Sequence, residues 1–247
     1  MTYCVGVLLD AGMVFASDSR TNAGVDHVSS FRKMTVYDRP GDRVVVILTS
    51  GNLSVTQNAI NLLGSNARRG DGSPNVWNAQ SLFEIATLLG DCLREVKRRD
   101  AAYLTQNNID ASANFILGGQ VKGEPHRLFM LYQEGNFIEA TPDTPFFQVG
   151  ETKYGKPIID RVVKRSTSVI DATKCVLISF DSTMRSNVSV GLPIDLVTYA
   201  KDSLRIQLQR RITETDPYFT MIHHQWGEGL RRVFAQLPDP YWDDAAE

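Results

Sequence analysis

Apolar and polar positions follow two different spacings along this chain, and these spacings predict where strands and helices lie. Short apolar runs bounded by turn residues are typical of strands. Such runs occupy 3–9, 13–17, 33–38, 43–50, 113–121, 127–133, 194–200 and 204–212. The residues Asp10-Ala11-Gly12 lie between the first two runs and predict a hairpin turn. We therefore expect four strands before the first helix.

Helical spacing predicts five further segments. In the clearest one, apolar residues from Leu82 to Val96 recur in steps of three and one, and Ser81 with Glu84 forms a capping box at the start. Other helices are predicted at 52–65, 152–165 and 170–187. A last amphipathic helix carries Phe219, Ile222, Trp226, Leu230, Val233, Phe234 and Leu237 on one face. The acidic tail from Pro238 onward is expected to be loose.

This order of elements predicts an α+β fold in which helices enclose a pair of sheets. The chain has 247 residues, of which 43% are hydrophobic, so it can bury the core of one large domain. No internal repeat, low-complexity segment or linker divides it. We therefore expect a single domain over residues 1–247.

Charge and cysteine content exclude several classes of function. With 26 basic and 28 acidic residues, the chain has no overall basic field for nucleic acid or an anionic membrane. It also has no long apolar span or leader-like segment, so we expect a cytoplasmic protein. Cys4, Cys92 and Cys175 are far apart and are expected to be reduced and mostly buried. The adjacent His223 and His224 point about 100° apart on a helix, so no metal or cofactor is expected.

The first residues carry the best candidate for chemistry. A threonine hydroxyl is a weak nucleophile without a base, but an N-terminal threonine has a base in its own α-amino group. Removal of Met1 would give Thr2 this role. A nearby ammonium would lower the pKa of the amine, which is ordinarily about 7.7–8.0. Asp18 follows Thr2 by 16 residues and Lys33 follows Asp18 by 15, so three strand-associated residues could meet at one sheet edge.

The residues around these positions resemble a known family. "SDSR" around Asp18, "FRKM" around Lys33 and "TSG" at Gly51 are similar to proteasome β-subunits, which are N-terminal nucleophile hydrolases. The opening Met-Thr-Tyr-Cys-Val-Gly and the stretch "SFDSTMRSNVSVGLP" at 179–193 resemble the bacterial Anbu (ancestral β-subunit) branch. The resemblance extends over nearly the whole chain and implies a four-layer αββα sandwich.

The resemblance implies a role for each matching position. Thr2 would be the nucleophile and amine base, Asp18 and Lys33 its charge partners, and the Gly51 backbone N–H an oxyanion donor. Thr21 and Asn22 would pair with the substrate backbone as an added strand. Phe31 and Thr49 would line the pocket for the residue before the cut.

Three departures from the proteasome pattern fall within these motifs. The spacing from Asp18 to Lys33 is one residue shorter than usual. Gly150-Glu151-Thr152 stands in place of a Gly-Ser-Gly turn, so that Glu151 either contacts the amine or begins a helix. In the stretch 185–191, Ser186 replaces an aspartate while the catalytic Ser189 is retained. Glu151 and Ser186 are thus possible partners of the amine.

Three functions remain open from the sequence. The first is a proteasome-like threonine peptidase, and the second is an enzyme of the same chemistry that hydrolyses or transfers the acyl group of a small amide. The third is a non-catalytic assembly subunit. The resemblance implies a homo-oligomer, either a closed ring or an open helical array of dimers. It also implies ATP-grasp, amide-ligase-like or transglutaminase-like proteins as possible neighbours.

Overall fold

The computed structural model describes residues 2–22, 28–68 and 71–241, with only the backbone described for Asn22 and Val28. Met1, the side chain of Asn22 and the last part of the acidic tail lie outside the described residues. The predictions made for them are therefore not addressed by the structure.

Two antiparallel five-stranded sheets dominate the fold. The first has the order β10-β1-β2-β11-β12 and contains β1 (Tyr3–Leu9), β2 (Gly12–Asp18), β10 (Phe146–Gly150), β11 (Ile194–Ala200) and β12 (Ile206–Ile212). The second has the order β5-β6-β7-β8-β9 and contains β5 (Met34–Arg39), β6 (Arg43–Gly51), β7 (Ala113–Val121), β8 (Arg127–Leu131) and β9 (Phe137–Glu139). A separate hairpin joins β3 (Arg20–Asn22) and β4 (Val28–Ser30).

The sheets pack face to face because their strands are apolar on both sides. In β2, Met13 and Phe15 contact the second sheet, whereas Val14 and Ala16 face the helices. All seven residues of β1 and of β2 are buried. Side chains alternate along each strand, so the apolar residues form two sets. One set fills the core between the sheets, and the other fills an outer core under the helices.

Helices cover both outer faces of the sheet pair. The helices α1 (Leu53–Arg68) and α2 (Leu82–Gln106) pack on the second sheet. The helices α3 (Lys156–Val162), α4 (Val169–Ser186) and the start of α5 (Pro217–Gln236) pack on the first. Capping side chains define four starts: Asn52, Ser81, Ser168 and Asp216 each accept a backbone N–H from the first turn. The predicted α+β sandwich with helices outside is confirmed.

The prediction of four strands before the first helix was wrong, because six strands precede α1. The two extra strands, β3 and β4, are three-residue segments too short to show an alternation. β9 and β10 were missed as well. β10 matters most, because it pairs with β1 from Tyr3 to Val7 and carries the chain back to the start of the first sheet.

The helix predicted over 152–165 is shorter than its pattern suggests. It begins at Lys156, with Pro157 in its first turn, where the missing N–H is not needed, and it ends at Val162. Glu151 therefore does not begin a helix, and it directly follows β10. Lys33 likewise precedes β5, which starts at Met34.

The amphipathic face of α5 is buried only at its start. Phe219 and Ile222 are buried against α4 and Trp226 is half-buried, whereas the rest of the stripe is exposed. The exposed apolar residues are Leu230, Val233, Phe234 and Leu237. Within the described residues, no helix combines the length and apolar character that a membrane span requires.

Candidate active site

A buried ion pair lies at the end of the sandwich where β2 finishes. Lys33 Nζ is 2.8 Å from Asp18 Oδ1, and the side chains are 5% and 0% exposed. Lys33 Nζ also donates to the carbonyl oxygen of Arg20 at 2.5 Å. The ammonium of Lys33 therefore lies between the carboxylate that ends β2 and the backbone of Arg20.

Opposing influences act on the Asp18 carboxyl. Burial raises the pKa of Asp18 above its ordinary value, and this is the largest effect. The Lys33 ammonium opposes the rise, as do the backbone N–H groups of Tyr3 and Gly191. The pair is thus held in a poorly solvated position where each charge depends on the other.

Thr2 lies directly beside this pair through the backbone. The N–H of Tyr3 donates to Asp18 Oδ1 at 3.0 Å, so the carboxylate contacts the residue that follows Thr2. On the other side, Glu151 N–H donates to the Thr2 carbonyl at 2.7 Å. Thr2 is 8% exposed and is therefore held between β2 and β10.

Glycine is required at Gly150, where the chain turns past Thr2. Its φ is +88°, and a Cβ there would lie 1.9 Å from the Thr2 carbonyl oxygen. At the end of β6, Gly51 has a φ of +108°, and a Cβ would lie 2.3 Å from the Ser112 carbonyl oxygen. Both glycines that the sequence singles out thus occupy backbone positions that exclude other residues.

Glu151 links Thr2 to the segment that follows α4. Its Oε2 accepts a hydrogen bond from Asn187 Nδ2 at 2.7 Å, and its Oε1 lies 3.5 Å from Lys153 Nζ. Asn187 Oδ1 in turn accepts the N–H of Ser189 at 2.9 Å. Ser186 is the exposed last residue of α4, and its neighbour Asn187 makes the contact to Glu151 instead.

A cavity of about 320 Å³ opens next to Lys33, between the start of β5, the end of β6 and α1. Thr49 lines it and donates its N–H to the Lys33 carbonyl at 2.9 Å. Phe31 is 40% exposed and lies outside the described lining of this cavity. Thr21 lies in β3, and its Oγ1 is buried without a hydrogen bond to the described residues.

Two residues at the site were missed by the sequence reasoning. Arg20 donates to the Val188 carbonyl at 2.8 Å, and its guanidinium packs on Gly191, where a Cβ would lie 2.3 Å from Cζ. Asn187 joins Glu151 to Ser189. Both lie within the family-like stretches, but their role depends on contacts between segments far apart in the chain, which no local signal indicates.

The fold consists of two facing sheets between helical layers, and a threonine lies beside a buried Asp–Lys pair where β1 begins. This arrangement defines a proteasome-subunit-like fold. No family model matches the chain, and no curated protein does. Solved structures do match. Anbu from Yersinia bercovieri is 52% identical, over 97% of this chain and 99% of that one, with a TM-score of 0.91.

Two further structures agree with this match. Anbu from Pseudomonas aeruginosa, described as a helical assembly, is 48% identical over 97% of this chain and 98% of that one, with a TM-score of 0.92. Anbu from Hyphomicrobium sp. strain MC1 is 43% identical over 97% and 100%, with a TM-score of 0.90. The chain belongs to the Anbu (ancestral β-subunit) family.

Proposed function

We propose that this chain is an N-terminal threonine hydrolase, a proteasome-like peptidase that uses Thr2 after removal of Met1. The observation that carries the proposal is the buried pair of Asp18 and Lys33, which contacts the backbone directly next to Thr2. A buried charge pair is costly to maintain. Its location beside the one residue able to carry both nucleophile and base favours a catalytic role.

The proposed reaction uses the two functional groups of Thr2. Its α-amine takes the proton of Oγ as the oxygen attacks the substrate carbonyl, and the negative charge that develops is stabilised by the Gly51 N–H. Collapse of this intermediate breaks the C–N bond, and the leaving amine takes the proton. Water then attacks the ester, giving its proton to the amine, and the acid leaves as Thr2 Oγ is protonated again.

Each remaining residue has a supporting part in this proposal. The Lys33 ammonium lowers the pKa of the Thr2 amine, because two nearby positive charges repel each other, and Asp18 holds the ammonium in place. Glu151 and Asn187 fix the backbone and the segment bearing Ser189 around Thr2. Thr21 and Asn22 in β3 are proposed to pair with an extended substrate.

Self-assembly is part of the proposal. The second half of α5 exposes Leu230, Val233, Phe234 and Leu237, a contiguous apolar face of the kind that marks protein contacts. The relative from Pseudomonas aeruginosa is described as a helical assembly. We also propose a cytoplasmic location, because Cys4, Cys92 and Cys175 are all free thiols.

The decisive test is the intact mass of the purified protein before and after reaction with a peptide epoxyketone. Such a probe closes a ring with both Oγ and the α-amine, so it reports a free N-terminal threonine. We expect a chain that begins at Thr2 and gains one adduct. The Thr2→Ala variant should gain none, and Thr2→Ser, which keeps both groups, should react.

Two other results would each support a different function. A chain that retains Met1 and gains no adduct would favour the non-catalytic assembly subunit. Labelling at Thr2 together with turnover of simple amides, but of no unstructured peptide, would favour the small-amide hydrolase or acyl-transfer enzyme.

A further inference from the structure

The cavity beside Lys33 has an unusually polar wall for a pocket that would receive a substrate side chain. Residues of α1 line one side, at positions spaced three and one apart, so they share one helix face. The polar lining residues are Arg32, Lys33, Thr35, Thr49, Thr56, Gln57 and Asn61. Leu53 and Ile60 are the apolar members of the described lining.

Arg32 is a positive charge without a counter-ion in this cavity. The other cation, Lys33, is already paired with Asp18, and no acidic side chain belongs to the described lining. Arg32 makes no ion pair with any described residue. On its other side Arg32 borders a separate cleft whose lining includes Asp38 and Asp195, and Asp195 is paired with Arg211 at 2.7 Å. The potential in the cavity is therefore positive.

The cavity also offers unused hydrogen bonds. The side-chain amides of Gln57 and Asn61 are exposed and make no hydrogen bond within the described part of the chain. Thr56 differs, since its Oγ1 is hydrogen-bonded to the Asn52 and Leu53 carbonyls. The free groups thus comprise one guanidinium and two amides, which together match the oxygens of a carboxylate.

We propose that this cavity selects a substrate whose acyl side carries a carboxylate, such as a peptide with glutamate before the scissile bond. The inference rests on the proposed function, because it assigns the cavity to the residue that precedes the bond attacked by Thr2. Arg32 is the specificity-determining residue. Its guanidinium binds the carboxylate through paired hydrogen bonds, and Gln57 and Asn61 donate to the remaining lone pairs.

The dimensions agree with one side chain and a few waters. A volume of about 320 Å³ is at the lower end of the roughly 300–1,000 Å³ typical of small-ligand pockets. An apolar side chain would make no polar contact with Arg32 or with the two exposed amides, whereas a lysine side chain would be repelled by Arg32.

The test uses peptide epoxyketones that differ only in the residue occupying the cavity: glutamate, the uncharged isostere glutamine, leucine or lysine. The rate of adduct formation at Thr2 is followed by intact mass. We expect glutamate to react about tenfold faster than glutamine, as a charge-assisted hydrogen bond predicts. Arg32→Gln should remove this difference, and Arg32→Glu should make lysine the preferred residue.

A matched control is Arg205→Glu, which makes the same charge change at an exposed arginine beside β12. The strand β11 pairs with β2 from Asp18, at the site, to Gly12, and Arg205 lies beyond the Gly12 end of this pairing, between β11 and β12. This variant should retain the preference for glutamate. Equal labelling by glutamate, glutamine and leucine probes would overturn the inference and leave the proposed function intact, whereas absence of labelling by every probe would overturn both.

Discussion

At the scale of single residues, the site depends on the buried pair of Asp18 and Lys33. Water cannot solvate either charge if its partner is removed, because the two side chains are 0% and 5% exposed. The carboxylate also accepts the Tyr3 N–H, so it orients the strand that begins beside Thr2. The pair thus has a structural effect and a proposed catalytic effect that different substitutions should separate.

We expect Lys33→Met to lower the free energy of unfolding by about 3–5 kcal/mol, because it leaves the Asp18 carboxyl buried without its ammonium. The same change raises the pKa of Asp18 further, since Lys33 is the main influence opposing burial. Urea unfolding measures the loss, and epoxyketone labelling measures the activity of Thr2.

The double variant Asp18→Asn with Lys33→Met separates the two effects. It removes both charges and keeps an acceptor for the Tyr3 N–H, so most of the stability should return while labelling stays absent. A double variant that labels at the original rate would show that the pair has no part in activating Thr2.

At the scale of elements, β10 is the strand that positions Thr2. Its pairing with β1 brings Gly150 against the Thr2 carbonyl and allows Glu151 to donate to the same oxygen. The strand was missed because its residues run into a segment with helix-like spacing. Its effect on the site is therefore a consequence of pairing between strands far apart in the chain.

We expect Gly150→Ala to cost about 2–5 kcal/mol and to abolish labelling at Thr2. Two causes add: the left-handed φ of +88°, and the contact of 1.9 Å between the new Cβ and the Thr2 carbonyl oxygen. Gly123→Ala is the matched control. Gly123 has a φ of +86° and nothing within 4 Å of its Cβ position, so it reports the backbone strain alone.

Chemical denaturation of both glycine variants gives the comparison. The control should lose only about 1 kcal/mol and should label normally. Equal losses in the two variants would mean that the close approach at Thr2 contributes nothing.

At the scale of the whole molecule, polar contacts tie the two sheets together at the end opposite the site. His126 precedes β8 in the second sheet, and its Nε2 lies 2.7 Å from the Leu9 carbonyl in the first. Tyr199 in β11 donates to Gln120 in β7, another contact between the sheets. At the site end, Cys4 Sγ donates to the Thr49 carbonyl at 3.5 Å. Burial raises the pKa of that thiol, which keeps it protonated as a donor.

The tie through His126 should make stability depend on pH. Burial lowers the pKa of His126, so the folded state binds the proton more weakly than the unfolded state does. The contribution of neutral His126 to the free energy of unfolding is therefore fully present above about pH 6.5, the pKa of histidine in the unfolded chain. It is lost as the pH falls below that value, by at most about 1.4 kcal/mol per pH unit.

Urea unfolding at several pH values between neutrality and mild acid measures this dependence. His126→Gln keeps a donor for the Leu9 carbonyl and cannot titrate, so we expect a flatter profile. His224→Gln, at an exposed position on α5, should keep the original slope. An unchanged profile in His126→Gln would assign the pH dependence to other groups.

Local patterns in the sequence determined the main elements of the fold. The sequence predicts the positions of β1, β2, β6 and β7 from their apolar runs and the position of α2 from its helical spacing. These patterns are strong because each element buries apolar side chains regardless of which strands or helices it packs against. The hairpin residues and the order of elements then led to two sheets between helices. Thr2, Asp18, Lys33, Gly51 and Glu151 could be nominated because motif and chemistry coincide at these positions.

Tertiary structure decided everything that depends on distant segments meeting. It placed β10 beside β1, joined Asn187 to Glu151 and Arg20 to Val188, and left the second half of α5 exposed. It also formed the cavity in which Arg32 is the unpaired charge. These features arise from contacts between residues far apart in the chain, and a local pattern carries no information on which distant partner a polar side chain will find.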